Sequence, residues 1–264
     1  MGRFHRHDDG TVHAHDHAEH PHEHHTHEHH DHGDHSGYET GSQRIDVLES
    51  IFAENDIRAD YNRNAFESNG IRALNLMSSP GSGKTTVLGA TLDELAGEFA
   101  VGVIEGDIAT DLDAAKLGGR GAQISLLNTG NGFGGECHLD APMVNRALQG
   151  LDLAQLDLVI IENVGNLVCP AEFDVGEHAK AMVYSVTEGD DKPLKYPVMF
   201  RAVDVVLLNK IDLVPYLDVD VDSYLARVRE VNPTATILPV SARTGAGMSA
   251  WFGWLRRFMA ASAT

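Results

Sequence analysis

The stretch Ser78-Ser79-Pro80-Gly81-Ser82-Gly83-Lys84-Thr85-Thr86 constrains this chain more than any other. It follows an apolar run, Leu74 to Met77, and leads into a helical pattern from Lys84 to Leu95. Strand, glycine-rich loop, Gly-Lys-Thr and helix in that order form a phosphate-binding loop, here with Ser78 in place of the first glycine. The physical demand is plain. Backbone N–H groups of Gly81, Ser82 and Gly83 must curl closely around phosphate, Lys84 must neutralise its charge, the Thr85 hydroxyl must meet Mg²⁺, and Thr86 completes the loop. The helix adds its positive N-terminal end. A chance Gly/Ser loop ahead of a helix is the bland alternative, and it does not account for all four features in order.

Around this loop, short apolar runs alternate with helical stretches. Leu74 to Met77, Val101 to Ile104, Ile124 to Leu127, Leu158 to Ile161, Ala181 to Val186, Val205 to Leu208 and Ile237 to Val240 each read as buried strands. Continuous apolar strands separated by helices predict an α/β fold, the three-layer α/β/α arrangement of P-loop NTPases with a mostly parallel sheet. Ligands of such sheets gather at the carboxyl ends of the strands. Ile45, Leu48, Ile51 and Phe52 recur at helical spacing and predict an amphipathic packing helix. The expected organisation is a tail over 1–40, a helical extension over 41–69 and the nucleotide domain over 70–264.

Asn209-Lys210-Ile211-Asp212 closes one strand run, 125 residues after Lys84 and 29 before Ser241-Ala242-Arg243. A carboxylate at Asp212 accepts from N1–H and the 2-amino group of guanine together, and adenine lacks that donor pair. The expected nucleotide is therefore GTP, with Asn209 bracing the loop, the Lys210 stem on the purine face, and the Ser241 and Ala242 turn offering backbone N–H to O6. Two acids, Asp107 in Glu105-Gly106-Asp107 and Glu162 in Glu162-Asn163-Val164-Gly165, follow the second and fourth strand runs. They are candidates to hold Mg²⁺ with Thr85, and Gly165 N–H is placed to touch the γ-phosphate. Lys84, Asp107 and Glu162 form the expected catalytic set. No residue declares itself as the one that orients the attacking water, which predicts slow intrinsic turnover.

Fourteen of the sixteen histidines lie between His5 and His35, interspersed with acids. Such a segment cannot supply a core and is expected to be disordered without metal. Its denser part, His22, His24, His25, His27, His29 and His30, would hold divalent ions weakly and release them as imidazole protonates near pH ~6.5. The rest of the chain offers Cys137-His138 and Cys169. Thiolate and imidazole suit Ni²⁺ or Zn²⁺, although ligands this far apart come together only through folding or a second subunit, and ordinary buried thiols remain the alternative. The net charge of −19 disfavours nucleic acid. No apolar run nears the roughly 20 residues of a membrane span. The cytoplasm is the expected compartment.

Taken together, the phosphate loop, Glu105-Gly106-Asp107, Cys137-His138-Leu139-Asp140-Ala141, Glu162-Asn163-Val164-Gly165-Asn166-Leu167-Val168-Cys169-Pro170, Asp191-Lys192-Pro193-Leu194-Lys195-Tyr196-Pro197 and Asn209-Lys210-Ile211-Asp212 resemble HypB, the hydrogenase nickel incorporation GTPase family. The likeness spans residues 43 to 260, and Ser78 is what that family carries. The resemblance implies a GTP-dependent homodimer of the SIMIBI class. It implies that Cys137, His138 and Cys169 bind Ni²⁺ or Zn²⁺ at the subunit interface, with a HypA-type nickel chaperone as partner and the [NiFe]-hydrogenase large subunit as recipient. Two departures stand out. Asn131-Gly132-Phe133-Gly134-Gly135-Glu136 intervenes before Cys137, a glycine-rich insertion whose conformational freedom works against early assembly of the site. The Cys-x-x-Cys-Gly-Cys start of some members is absent. A urease accessory GTPase shares the loop and often a His-rich start but uses Cys-Pro-His. A nickel-buffering protein is the alternative from another class, and a P-loop kinase is disfavoured by Asp212.

Overall fold

In the computed structural model the described residues are 5–6, 12–13, 40–106, 119–127 and 138–261, with side chains described from Phe52 onward and that of Cys169 excluded. The chain divides into two compact units, Met1–Gln43 and Arg44–Thr264. Within the first, the two-residue strands β1 (His5–Arg6) and β2 (Val12–His13) pair antiparallel with His5 opposite His13. The six histidines from His22 to His30 lie outside the described residues.

The second unit is built on seven parallel strands. These are β3 (Arg72–Ser78), β4 (Val101–Glu105), β5 (Gln123–Leu126), β6 (Leu158–Gly165), β7 (Ala179–Ser185), β8 (Val205–Asn209) and β9 (Thr236–Pro239), ordered β5-β4-β6-β3-β7-β8-β9. Every strand run read from the sequence is a strand. The fourth differs in length: Glu162 to Gly165 belong to β6 itself rather than following it. Polar residues end the apolar run but not the hydrogen-bonded ladder, because the sheet continues where side chains turn to the ligand edge.

β3 lies in the middle, and its alternation shows why both sheet faces are covered. Leu74 and Leu76 face a core shared with Val87, Leu88, Leu92 and Leu95 of α2 (Lys84–Leu95) and with Trp251, Leu255 and Phe258 of the helix Met248–Ala260. Trp251 Nε1 donates to Thr91 Oγ1 at 2.9 Å, so its one polar atom is matched inside that core. Ala73 faces Phe66 and the helix Ala141–Leu148, while Met77 joins Met182, Tyr184, Phe200 and Tyr224. The ladder between β3 and β6 is regular from Arg72 opposite Leu158 to Leu76 opposite Glu162, then slips, so that Ser78 meets Gly165. Asn163 and Val164 thus stand against Met77 alone, a bulge of the kind that re-aims side chains beside binding sites.

The extension is a helix, α1 (Thr40–Ser68), and its described docking positions continue at the helical spacing that leads up to Phe52. Phe52 is 38% exposed, and the buried positions are Asn55, Ala59, Asn62 and Phe66. Ile45, Leu48 and Ile51 lie outside the residues whose side chains are described. The two asparagines anchor α1 through backbone partners. Asn55 donates to Asp174 O at 2.8 Å and accepts from Ala141 N at 2.9 Å, and Asn62 donates to Ala141 O and Val175 O at 2.9 and 3.0 Å. Gly176 makes this approach possible: with φ at +93°, a Cβ there would sit 2.7 Å from Ala59 O and 2.9 Å from Arg63 N. Gly176→Ala is expected to cost about 2–4 kcal/mol from backbone strain and overpacking. Urea unfolding checks it, and parental stability would show that α1 does not hold this turn.

Candidate functional site: a phosphate loop, a base pocket and a metal-bearing segment

The phosphate loop bridges β3 and α2, and Gly83, at φ +99°, caps the helix in the left-handed region. A Cβ on Gly83 would lie 2.6 Å from Asn209 Nδ2, so the loop and β8 approach as closely as only glycine allows. Ser78 to Thr86 and Gly165 line a cavity of about 280 Å³. Lys84, 6% exposed, lies 3.4 Å from Glu162 and donates to the backbone carbonyl of Asn163. Thr85 Oγ1 donates to Glu162 Oε1 at 3.0 Å, and Glu162 is wholly buried. Ser82 Oγ is also buried and makes no hydrogen bond among the described residues. The oxygens of Thr85 and Glu162 are hard donors of the type Mg²⁺ takes, so this edge of the loop fits that ion. Asp107 lies outside the described residues, directly after Gly106, whose N–H donates to Glu162 O at 3.0 Å.

A second cavity, about 600 Å³, adjoins the first and is lined by Gly83, Thr86, Asn209, Lys210, Asp212, Leu213, Ala242 and Arg243. Asn209 Nδ2 donates to Ser82 O at 2.9 Å, tying β8 to the loop. Lys210, at φ 64°, sends its ammonium to Gly81 O at 2.6 Å, so its stem crosses the cavity. Ser241 Oγ donates to Asp212 Oδ1 at 2.6 Å and fixes the carboxylate. The Ser241 and Ala242 amides are engaged within the protein, Ser241 N with Ala246 O at 2.8 Å and Ala242 N with Asn209 Oδ1 at 3.1 Å. A contact from Ala242 N–H to a guanine O6 therefore requires that bond to be shared or exchanged.

The metal candidates are covered in part. Cys137 lies outside the described residues. Cys169 opens the short helix Cys169–Glu172, with Pro170 in its first turn. His138 is half-buried and stacks on Phe173 with ring centroids 4.2 Å apart, and Phe173 stacks on Phe52 of α1 at 5.2 Å. Among the described residues no three His, Cys, Asp or Glu side chains form a metal-holding group.

Several residues at the site have no role in the sequence reading. Asn163, wholly buried, accepts from Leu139 N at 3.0 Å and Val164 N at 2.9 Å, and donates to Asn75 Oδ1 at 3.3 Å. Asn75 in turn donates to Glu177 Oε1 at 3.3 Å, whose other oxygen accepts from Val175 N at 2.8 Å. Burial pushes the Glu177 carboxyl up, opposed by Lys180 at 3.3 Å. Glu188 accepts from the Ser79 hydroxyl and borders a third cavity, about 560 Å³, shared with Pro80, Gly165 and Lys192. Burial raises this carboxyl also, against the bonds from Ser79 and Ser185. A polar residue inside an apolar strand pattern was the available signal for Asn75. Asn163 carried none beyond its motif, and Glu188 carried none.

Residues 72–239 match the CobW/HypB/UreG nucleotide-binding domain family. The chain is 50% identical over 216 residues to the hydrogenase maturation factor HypB of Azotobacter chroococcum mcd 1, covering 82% of this chain and 70% of that protein. It superposes on the crystal structure of the HypB maturation factor from Archaeoglobus fulgidus with a TM-score of 0.73 at 37% identity, over 78% of this chain and 99% of the other. HypB from Helicobacter pylori, crystallised in complex with nickel, superposes with a TM-score of 0.72 at 36% identity, over 78% and 95% of the two chains.

Proposed function

The chain belongs to the HypB family of hydrogenase maturation factors, and from that premise we propose that it is a GTP-hydrolysing metallochaperone delivering nickel to the [NiFe]-hydrogenase large subunit. The observation that supports this reading is a hydrogen-bonded link from the phosphate loop to the backbone next to His138. Lys84 of the phosphate loop donates to the Asn163 carbonyl, and the Asn163 side chain holds the N–H of the residue after His138. The nickel-bound relative from Helicobacter pylori supports nickel as the cargo.

In this proposal the chain's own residues divide the work. Gly81 to Thr86 and the N-terminal end of α2 bind the phosphates, Lys84 neutralises charge developing on the transferred group, and Gly165 contacts the γ-phosphate. Thr85 and Glu162, with Asp107, hold Mg²⁺, which neutralises phosphate charge when bound. Asp212, braced by Ser241, reads guanine, while Asn209 and Lys210 keep the base pocket against the loop. Cys137, His138 and Cys169 receive nickel, or zinc in its place, and the His-rich tail stores nickel for them. Gly165 lies four residues before Cys169, so a γ-phosphate that draws Gly165 inward moves the metal-bearing segment. Linkage then requires nickel to alter GTP affinity by the same factor that GTP alters nickel affinity. A GTP-dependent homodimer, a HypA-type partner and a cytoplasmic setting complete the proposal. No helix among the described residues is long and apolar enough to cross a membrane.

The test is hydrogenase activity in cells carrying Cys137→Ala, with and without added nickel. The expected outcome is activity reduced at least about tenfold at limiting nickel, since losing even an outer-shell partner of a ligand weakens a metal site on that scale. Parental activity in both media would remove the metal-transfer role.

A further inference from the structure

The bulge of β6 puts one buried side chain between the two sites. Asn163 and Val164 together face Met77, so Asn163 leaves the regular ladder at the point where its neighbours Glu162 and Gly165 still pair. Three groups of Asn163 then point to different places. Its carbonyl takes the Lys84 ammonium, its Oδ1 takes Leu139 N–H at 3.0 Å, and its Nδ2 reaches Asn75 at 3.3 Å and through it Glu177. Asn163, Asn75 and Leu139 are all wholly buried, so no water substitutes for a lost partner.

We infer that Asn163 is the positioning residue that couples the nucleotide state to nickel affinity, by carrying a change at Lys84 to the backbone next to His138. This rests on the metal reading above and adds a link to it that does not pass through Cys169. When the Lys84 ammonium turns to phosphate, the Asn163 carbonyl loses its buried donor. A buried carbonyl left without a partner is unfavourable, which drives the peptide to reorient. The peptide cannot turn without moving Oδ1, since the same residue supplies both acceptors, and Leu139 N–H follows or loses its bond. Either result moves His138, one residue earlier. On its other side Leu139 is packed among Ile104, Val144 and Ile161, so the segment shifts between discrete packings rather than deforming smoothly.

The experiment uses the full-length chain and two readouts. Ni²⁺ is titrated with GDP or a non-hydrolysable GTP analogue bound, following thiolate-to-nickel charge-transfer absorption, to which nickel on the histidine tail does not contribute. The unmutated chain is expected to show nickel affinities differing about tenfold between the two nucleotides, within the usual range of coupling between sites. Asn163→Ala is expected to bind both nucleotides and nickel with the two affinities within twofold. A full nucleotide dependence in Asn163→Ala overturns the inference. Hydrogen exchange at the Leu139 amide of the unmutated chain gives a second arm that needs no substitution. A rate differing about tenfold between the two nucleotides supports the link, and equal rates overturn it even where Asn163→Ala does not fold. The metal reading fails in a different way, by the absence of any thiolate-to-nickel absorption in the unmutated chain, and the inference falls with it.

Discussion

Lys84→Ala is expected to lower GTP turnover by a factor of about 10²–10³, the scale on which removing one preorganised charge-stabilising donor acts. The same substitution is expected to destabilise the protein before any nucleotide is added. Lys84 is 6% exposed and Glu162 fully buried, with 3.4 Å between ammonium and carboxylate. Deleting one partner of a buried pair leaves an uncompensated charge, at a cost of about 3–5 kcal/mol. Two losses therefore come from one side chain, and they separate by assay. Single-turnover hydrolysis reports the first and urea unfolding of the nucleotide-free chain the second. An unchanged unfolding midpoint would mean that the Glu162 carboxylate does not depend on Lys84, and unchanged turnover would remove the loop from catalysis.

Asp212→Asn is expected to weaken GTP binding by a factor on the order of 10²–10³ and to create affinity for xanthosine triphosphate. A carboxylate presents two acceptors to the N1–H and 2-amino donors of guanine. The carboxamide presents one acceptor and one donor, which leaves a guanine donor facing a donor, at roughly the cost of a lost charged hydrogen bond and an unmatched group. Xanthine carries a carbonyl at the 2-position and restores the match. Ser241 Oγ, 2.6 Å from Asp212 Oδ1, holds the side chain in place, so the substitution changes donors without freeing the group. Competition binding with the two nucleotides decides it. An equal loss for both would show that Asp212 shapes the pocket without reading the base.

The legibility of the fold follows from where the information is stored. The strands declare themselves as apolar runs because a parallel sheet hides both faces of its inner members, and the runs persist in the edge strands β5 and β9, which are only partly buried. The phosphate loop is equally plain, since its chemistry is local and ordered along the chain. What escaped the sequence was stored across distance. Asn163 meets Leu139 across 24 residues, and Ser79 meets Glu188 across 109. No pattern within either segment announces the encounter. The ladder of β6 continued through Glu162 to Gly165 because backbone pairing outlasts side-chain hydrophobicity. The docking face of α1 was legible only in part: apolar periodicity led up to Phe52, which stacks on Phe173, while Asn55 and Asn62 further along the helix anchor it through hydrogen bonds that hydropathy does not record.

That docking face also sets how α1 comes away. A helix seated on Leu and Ile side chains leaves only by exposing a large apolar surface, and so leaves when the whole domain melts. Among the described side chains, the seat of α1 is two carboxamides, one alanine, Phe66 and the stack of Phe52 on Phe173, and water can replace the bonds of the carboxamides. Release of that described part is thus a sub-global opening whose apolar cost falls mainly on Phe66, below the free energy of complete unfolding. The backbone that it pins, at Ala141 and from Asp174 to Val175, would open with it. The protein can then loosen the chain just after each of its proposed metal-binding segments, at His138 and at Cys169, while the sheet beneath the nucleotide stays intact.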